Sequence, residues 1–120
     1  MKRIVIIDDS QAFRSQLKGI LLAAGYDVVA EAENGQVGIE QCHAYHPELV
    51  TLDIGMPIMD GMTALKQLRS ELTAVKVIMI SACSDSNKVM EALTLGAAYY
   101  ILKPCDANYI TTIVARVLDQ

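Results

Sequence analysis

A chain of 120 residues is long enough for one folded domain and too short for two of ordinary size, so residues 1–120 are expected to form a single domain. Hydrophobic residues make up 52% of the chain and charged residues 20%, which provides for a core and excludes a disordered linker. The net charge is -4 and the basic residues are scattered, which argues against direct binding of DNA or RNA.

The first third of the chain predicts two strands with a helix between them. Residues 4–7 form a continuous β-branched run, which indicates a strand buried on both faces. Asp8 and Asp9 follow it directly. The helix after them should end at Gly25, and its apolar residues at helical spacing are Phe13, Leu17, Ile20, Leu21 and Ala24. The second strand covers residues 28–32 and should end at the turn pair Asn34-Gly35.

The middle third predicts a weak helix, a strand and a strong helix. Residues 36–45 have helical spacing but a poor apolar stripe. Leu49–Leu52 is a third strand, and Asp53 stands at its end. A loop with Pro57 and Gly61 then leads into a helix marked by Met62, Leu65, Leu68 and Leu72.

The last third repeats the alternation twice more. Residues 75–80 are the clearest strand in the chain, and Ser81 stands at its end. Asp85 or Ser86 should cap a helix that ends before Gly96. Tyr99–Leu102 is a fifth strand, followed by Lys103-Pro104. The final helix carries Ile110, Ile113, Val114, Val117 and Leu118.

Five strand–helix units in series predict an α/β fold in which helices cover both faces of a parallel sheet. The polar residues after the strands should then meet, because sites in open parallel sheets form outside the carboxyl ends of the strands. Those residues are Asp8, Asp9, Asp53, Ser81 and Lys103. Three close carboxylates repel one another, and a hard divalent cation such as Mg²⁺ or Mn²⁺ removes that repulsion. A carboxylate, a metal, a lysine and a hydroxyl together suit phosphoryl transfer.

Four stretches, in the order and near the spacing of the family, resemble the response-regulator receiver domain, the CheY-like family of two-component signalling, and the resemblance covers the whole chain. They are residues 7–10 (Ile-Asp-Asp-Ser), 53–61 (Asp-Ile-Gly-Met-Pro-Ile-Met-Asp-Gly), 80–82 (Ile-Ser-Ala) and 96–104 (Gly-Ala-Ala-Tyr-Tyr-Ile-Leu-Lys-Pro). The resemblance implies a flavodoxin-like, doubly wound, three-layer sandwich with five parallel strands in the order 2-1-3-4-5.

The resemblance also implies a role for each matching residue. Asp53 resembles the phosphoacceptor, and Asp8 and Asp9 resemble the acidic pair that holds Mg²⁺. The backbone carbonyl of Gly55 would be a further metal ligand, beside Asp53 itself. Ser81 resembles the switch hydroxyl and Lys103 the ion-pairing lysine. Tyr100 resembles the switch aromatic, with simple packing in the strand as the alternative. The Lys103-Pro104 peptide bond is expected to be cis.

Two positions predict a long-lived phosphorylated state. In the family, the residues two places after the phosphoacceptor and two places after the switch hydroxyl help to place the water that hydrolyses the phosphoryl group. Here they are Gly55, which has no side chain, and Cys83, which offers no strong hydrogen-bonding group. Spontaneous dephosphorylation is therefore expected to be slow.

Other functions fit the sequence less well. An aspartyl-phosphate hydrolase acting on external substrates would carry a second acid two residues after the nucleophile, where this chain has Gly55. A nucleotide- or flavin-binding protein would need a glycine-rich phosphate loop after the first strand, where Asp8 and Asp9 would repel a phosphate.

The resemblance implies a response regulator rather than an enzyme with an external substrate. It would take its phosphoryl group from a sensor histidine kinase or a small donor, and bind a downstream protein through the face made by the fourth helix, fifth strand and fifth helix. A stand-alone regulator, with chemotaxis as one fitting pathway, is the leading interpretation. A receiver domain of a larger DNA-binding or enzymatic regulator is the alternative. A monomer or a weak phosphorylation-dependent dimer is expected.

A cytoplasmic location without membrane association is expected as well. The three cysteines match no zinc pattern and indicate reduced thiols. The apolar run at residues 4–7 is too short for a signal peptide, and no stretch approaches the roughly 20 apolar residues of a membrane span.

Overall fold

Five strands alternate with five helices in the computed structural model, which describes residues 1–120. The strands are β1 (Arg3–Ile7), β2 (Asp27–Ala32), β3 (Leu49–Leu52), β4 (Lys76–Ser81) and β5 (Tyr99–Leu102). The helices are α1 (Gln11–Ala23), α2 (Gly35–Tyr45), α3 (Gly61–Glu71), α4 (Ser86–Thr94) and α5 (Ala107–Leu118). The predicted number and order of elements are confirmed. No helix combines the length and the apolar character that crossing a membrane requires.

All four strand pairs are parallel, and the sheet order is β2-β1-β3-β4-β5, as predicted. The residues that follow β1, β3 and β5, and Ser81 at the end of β4, therefore lie at one edge of the sheet. This edge is where the polar residues of the sequence were expected to meet.

The two faces of the sheet carry separate apolar clusters, which confirms the three-layer sandwich. In β1, Val5 and Ile7 belong to one cluster, whereas Ile4 and Ile6 belong to the other. The first cluster includes the buried residues of α2, α3 and α4 other than their glycines, and the second those of α1 and α5. Alternate side chains of a strand point to opposite faces, so a run that is apolar at every position is buried on both sides.

Helix α2 packs through glycine and cysteine, which explains its poor apolar stripe. Its buried residues are Gly35, Gly38, Ile39 and Cys42. A Cβ atom at Gly38 would lie 2.4 Å from Cδ1 of Ile7, so the absence of a side chain lets the helix approach β1 closely. The same close packing buries Cys42 and raises the pKa of its thiol to about 12.

A polar side chain begins each helix. The N-cap residues are Ser10, Asn34, Asp60, Asp85 and Asp106, and each side-chain oxygen accepts a backbone N–H of the first turn. Asn34 corrects one expectation: the pair Asn34-Gly35 opens α2 rather than forming a free turn after β2, because the Asn34 Oδ1 atom accepts the N–H of Val37.

Candidate functional site

Three carboxylates meet beyond the carboxyl ends of β1 and β3. Ile7 and Leu52 are register partners, so the residues that follow them, Asp8 and Asp53, are brought side by side. Asp8, Asp9 and Asp53 can each place one carboxylate oxygen within 4.8 Å of the others. Asp8 and Asp53 are buried, with 2% and 8% of their surfaces exposed, and Asp9 is open to solvent.

Lys103 is the cation of this cluster. Its Nζ atom donates to Asp8 Oδ2 at 2.7 Å and to Asp53 Oδ2 at 3.3 Å. Burial would lower the pKa of Lys103, but the hydrogen bond to Asp8 and the charges of Asp53 and Asp8 outweigh it and raise the pKa. Burial raises the pKa of Asp8, and the bonds from Lys103 and the Ser10 N–H act against that rise. The pair therefore consists of a firmly charged lysine beside a desolvated acid.

Backbone groups hold the remaining oxygens of the two buried acids. Asp8 Oδ1 accepts from the Ser10 N–H at 2.9 Å, and Asp53 Oδ1 accepts from the Ile54 N–H at 2.7 Å. Arg14 donates from Nη1 to the Asp8 carbonyl oxygen at 2.6 Å and pairs with Glu31 at 3.2 Å. The Oδ2 atoms of both acids are thus turned toward Lys103.

The cluster fits a hard divalent cation. Three carboxylates and one ammonium leave two negative charges, and all the donor atoms that converge are oxygens, which suits Mg²⁺ or Mn²⁺. The carbonyl oxygen of Gly55 accepts no hydrogen bond within the chain, so it is available as a further ligand.

Ser81 and Tyr100 are linked to each other through the backbone of Cys83. The Cys83 N–H donates to Ser81 Oγ at 3.2 Å, and the Tyr100 hydroxyl donates to the Cys83 carbonyl oxygen at 2.6 Å. Tyr100 packs against the first cluster and Tyr99 against the second. The Lys103 N–H donates to the Ser81 carbonyl oxygen at 2.9 Å, which joins this link to the lysine. The Lys103-Pro104 bond is cis, as the resemblance implied.

Two residues near the site were not singled out from the sequence. Phe13 was assigned only to the apolar stripe of its helix, yet the Lys103 ammonium lies 4.1 Å from the centre of its ring. Arg14 was not assigned at all. A basic and an aromatic residue in the first turn after an acidic pair are the only sequence signal for either contact.

The loop between β3 and α3 contains one strained residue. Ile58 has φ +68°, a left-handed conformation that β-branched residues avoid, and 78% of its surface is exposed. We expect Ile58→Asn to raise the free energy of unfolding by about 1 kcal/mol, because asparagine tolerates this conformation and no packing is lost. Urea denaturation of the metal-free protein measures it. Ile58→Val keeps the strain and should give no gain; an equal gain in both variants would contradict this account.

Known proteins resemble the chain over nearly its full length. The response regulator receiver domain family matches residues 4–115. The chemotaxis protein CheY of Bacillus subtilis is 40% identical over 117 residues, which cover 98% of each chain. The regulatory protein AtoC of Escherichia coli is 36% identical over 119 residues, which are 99% of this chain and 26% of that protein.

A solved structure shares both fold and sequence. It is the CheX-CheY-BeF3-Mg²⁺ complex from Borrelia burgdorferi, with a TM-score of 0.94 and 32% identity, covering 97% of this chain and 88% of that one. The sheet order, the acidic cluster beside Lys103 and the match over residues 4–115 agree with one another. The chain belongs to the response-regulator receiver family.

Proposed function

We propose that Asp53 accepts a phosphoryl group and that the chain is a response regulator, as a single receiver domain over residues 1–120. The arrangement of Asp53 carries the proposal. Its Oδ1 atom is held by the Ile54 N–H, and its Oδ2 atom faces the ammonium of Lys103. A fixed carboxylate beside a cation is suited to attack phosphorus, where negative charge gathers on the transferred oxygens.

In the transfer, Asp53 Oδ2 forms a bond to phosphorus while the bond from phosphorus to the donor breaks. The donor is a phosphohistidine of a sensor kinase, which leaves as imidazole, or acetyl phosphate, which leaves as acetate. Lys103 stabilises the transferred oxygens. Asp8, Asp9, Asp53 and the Gly55 carbonyl would hold Mg²⁺, or Mn²⁺, which neutralises charge on the phosphoryl oxygens. The protein acts on no other substrate.

Phosphorylation would be coupled to the conformation of the domain through Ser81 and Tyr100. The Ser81 hydroxyl accepts from the Cys83 N–H, which leaves its own proton free for a phosphoryl oxygen. The Tyr100 hydroxyl donates to the Cys83 carbonyl oxygen, so a shift of Ser81 that moves Cys83 would also change the position of the Tyr100 side chain. New contacts of this kind bias an equilibrium between two conformations.

The partner would bind the face made by α4, β5 and α5. Four large hydrophobic side chains are exposed there, namely Met90, Leu93, Leu102 and Tyr109. The Borrelia burgdorferi complex, in which CheY is joined by CheX, is consistent with a protein partner in chemotaxis. We infer a cytoplasmic protein, a monomer or a weak phosphorylation-dependent dimer, that binds neither nucleic acid nor membrane.

Mass spectrometry after treatment with acetyl phosphate and Mg²⁺ tests the phosphoacceptor. We expect the mass of one phosphoryl group on the unmodified protein and none on Asp53→Asn. The control is Asp60→Asn, since Asp60 is an exposed helix cap outside the cluster and asparagine caps equally well. A mass gain that survives Asp53→Asn would overturn the proposal.

The same sample reports the lifetime of the phosphorylated state. After removal of the acetyl phosphate, the added mass should persist for minutes or longer, because Gly55 and Cys83 do little to place a hydrolytic water. A Cβ atom at Gly55 would meet nothing within 4 Å, so that side of the loop is open. Loss within seconds in the absence of a phosphatase would contradict the expectation.

A further inference from the structure

The Lys103 ammonium has three neighbours, and one of them carries no charge. Two are Asp8 and Asp53, at 2.7 and 3.3 Å. The third is the ring of Phe13, whose centre is 4.1 Å from the Nζ atom. A cation over the face of an aromatic ring within about 6 Å is attracted by the ring quadrupole. Phe13 is only half-buried and faces a groove of about 400 Å³ that it shares with Lys103 and Cys105.

The position of Phe13 is tied to that of the acids by a closed ring of contacts. Asp8 Oδ1 accepts from the Ser10 N–H, and Ser10 Oγ accepts from the Phe13 N–H at 3.1 Å. The Phe13 ring then meets Lys103, which returns to Asp8 Oδ2. The first turn of α1 therefore fixes the Phe13 ring relative to the Asp8 carboxylate, and the Lys103 ammonium contacts both.

An uncharged neighbour has a particular value at this place. The two carboxylates that hold Lys103 are those that would also bind the metal, so their hold on the ammonium weakens when a divalent cation arrives. A further carboxylate beside the lysine would add charge and compete for the metal. An aromatic face attracts the ammonium without competing for the metal.

We propose that Phe13 is a positioning residue: its ring keeps the Lys103 ammonium at the site when Asp8 and Asp53 turn to the metal. This rests on the proposed function, since it assigns Phe13 a part in the same phosphoryl transfer. The simpler role, packing against the second apolar cluster, depends on the size of the ring and not on its electrons.

Fluorination separates the two roles, because it withdraws electrons from the ring face and nearly preserves the shape. Phe13 is the only phenylalanine in the chain, so fluorinated phenylalanines can be introduced at this position alone. The series is 4-fluoro-, 3,5-difluoro- and 3,4,5-trifluorophenylalanine. The first readout is urea unfolding of the metal-free protein, with Lys103 present and in a Lys103→Met background. The second is the initial rate of phosphorylation by acetyl phosphate with Mg²⁺.

With Lys103 present, we expect the unfolding equilibrium constant to rise by about two- to fivefold across the series, and the phosphorylation rate to fall by a similar factor. In the Lys103→Met background, unfolding should not change with fluorination. The same dependence in both backgrounds would mean packing alone and would overturn the proposal. So would a phosphorylation rate that stays constant across the series. If the unmodified protein accepts no phosphoryl group on Asp53, the proposed function fails; if only the dependence on fluorine is missing, this inference fails alone.

Discussion

Alanine in place of Gly61 should lower the free energy of unfolding by about 3 kcal/mol or more and slow phosphorylation at Asp53. A Cβ atom at Gly61 would lie 1.9 Å from the carbonyl oxygen of Asp53 and 2.7 Å from Cα of Ile54. Both are backbone atoms, so no flexible side chain can move aside. The Gly61 N–H also donates to the Ile54 carbonyl oxygen at 2.8 Å, which fastens the start of α3 to the segment that carries the phosphoacceptor.

Urea denaturation and the acetyl phosphate reaction measure the two effects. Gly19→Ala is the matched control, because Gly19 lies in α1 and a Cβ atom there would meet nothing within 4 Å. That substitution should stabilise the protein by about 0.5–1 kcal/mol, since alanine favours helix over glycine. If Gly61→Ala proves as stable as the unmodified protein, the claim that the close approach of α3 to Asp53 requires a glycine at position 61 is contradicted.

Lys103→Met should destabilise the metal-free protein and bind Mg²⁺ more tightly. Removing the ammonium leaves the buried Asp8 and Asp53 without a counter-charge. Breaking a buried pair costs roughly 3–5 kcal/mol, and we expect about 1–3 kcal/mol here because 19% of the lysine side chain is exposed. Mg²⁺ would meet no competing cation, so its dissociation constant should fall about tenfold.

Calorimetric titration with Mg²⁺ and urea unfolding at increasing Mg²⁺ concentration check both parts. A ligand that binds only the folded state stabilises it, and the stabilisation is larger when the ligand binds more tightly. The stability difference between Lys103→Met and the unmodified protein should therefore shrink as Mg²⁺ is added. Lys18→Met is the control: Lys18 pairs with Glu31 at 3.6 Å in a partly exposed position, and its loss should cost well under about 1 kcal/mol at any Mg²⁺ concentration. Weaker Mg²⁺ binding by Lys103→Met would contradict the competition.

The sequence predicts the strands and the acidic cluster well because both follow from local patterns. Each strand is a short apolar run, and parallel order brings the residues after those runs to one edge. That reasoning places Asp8, Asp53 and Lys103 together without any knowledge of side-chain geometry. Helix α2 was the weakest prediction, because its buried stripe is partly glycine and the fit of Gly38 to Ile7 depends on a neighbouring strand.

Contacts between distant parts of the chain could not be predicted in the same way. Phe13 fits the apolar spacing of α1, and nothing in that spacing says that its ring faces Lys103. The link between Ser81 and Tyr100 uses only backbone atoms of Cys83, which no side-chain pattern reports. The strain at Ile58 lies in its backbone φ angle, and the surrounding sequence predicts only a loop without specifying that angle.

The backbone link at Cys83 leaves its side chain free to vary. Both hydrogen bonds, from the Cys83 N–H to Ser81 Oγ and from the Tyr100 hydroxyl to the Cys83 carbonyl oxygen, use backbone atoms that every residue except proline provides. Position 55 is equally unconstrained, since a side chain there would enter open space. Substitutions at positions 55 and 83 could therefore change how long the protein stays phosphorylated while the link from Ser81 to Tyr100 stays intact. The duration of the signal and its transmission could then be varied independently.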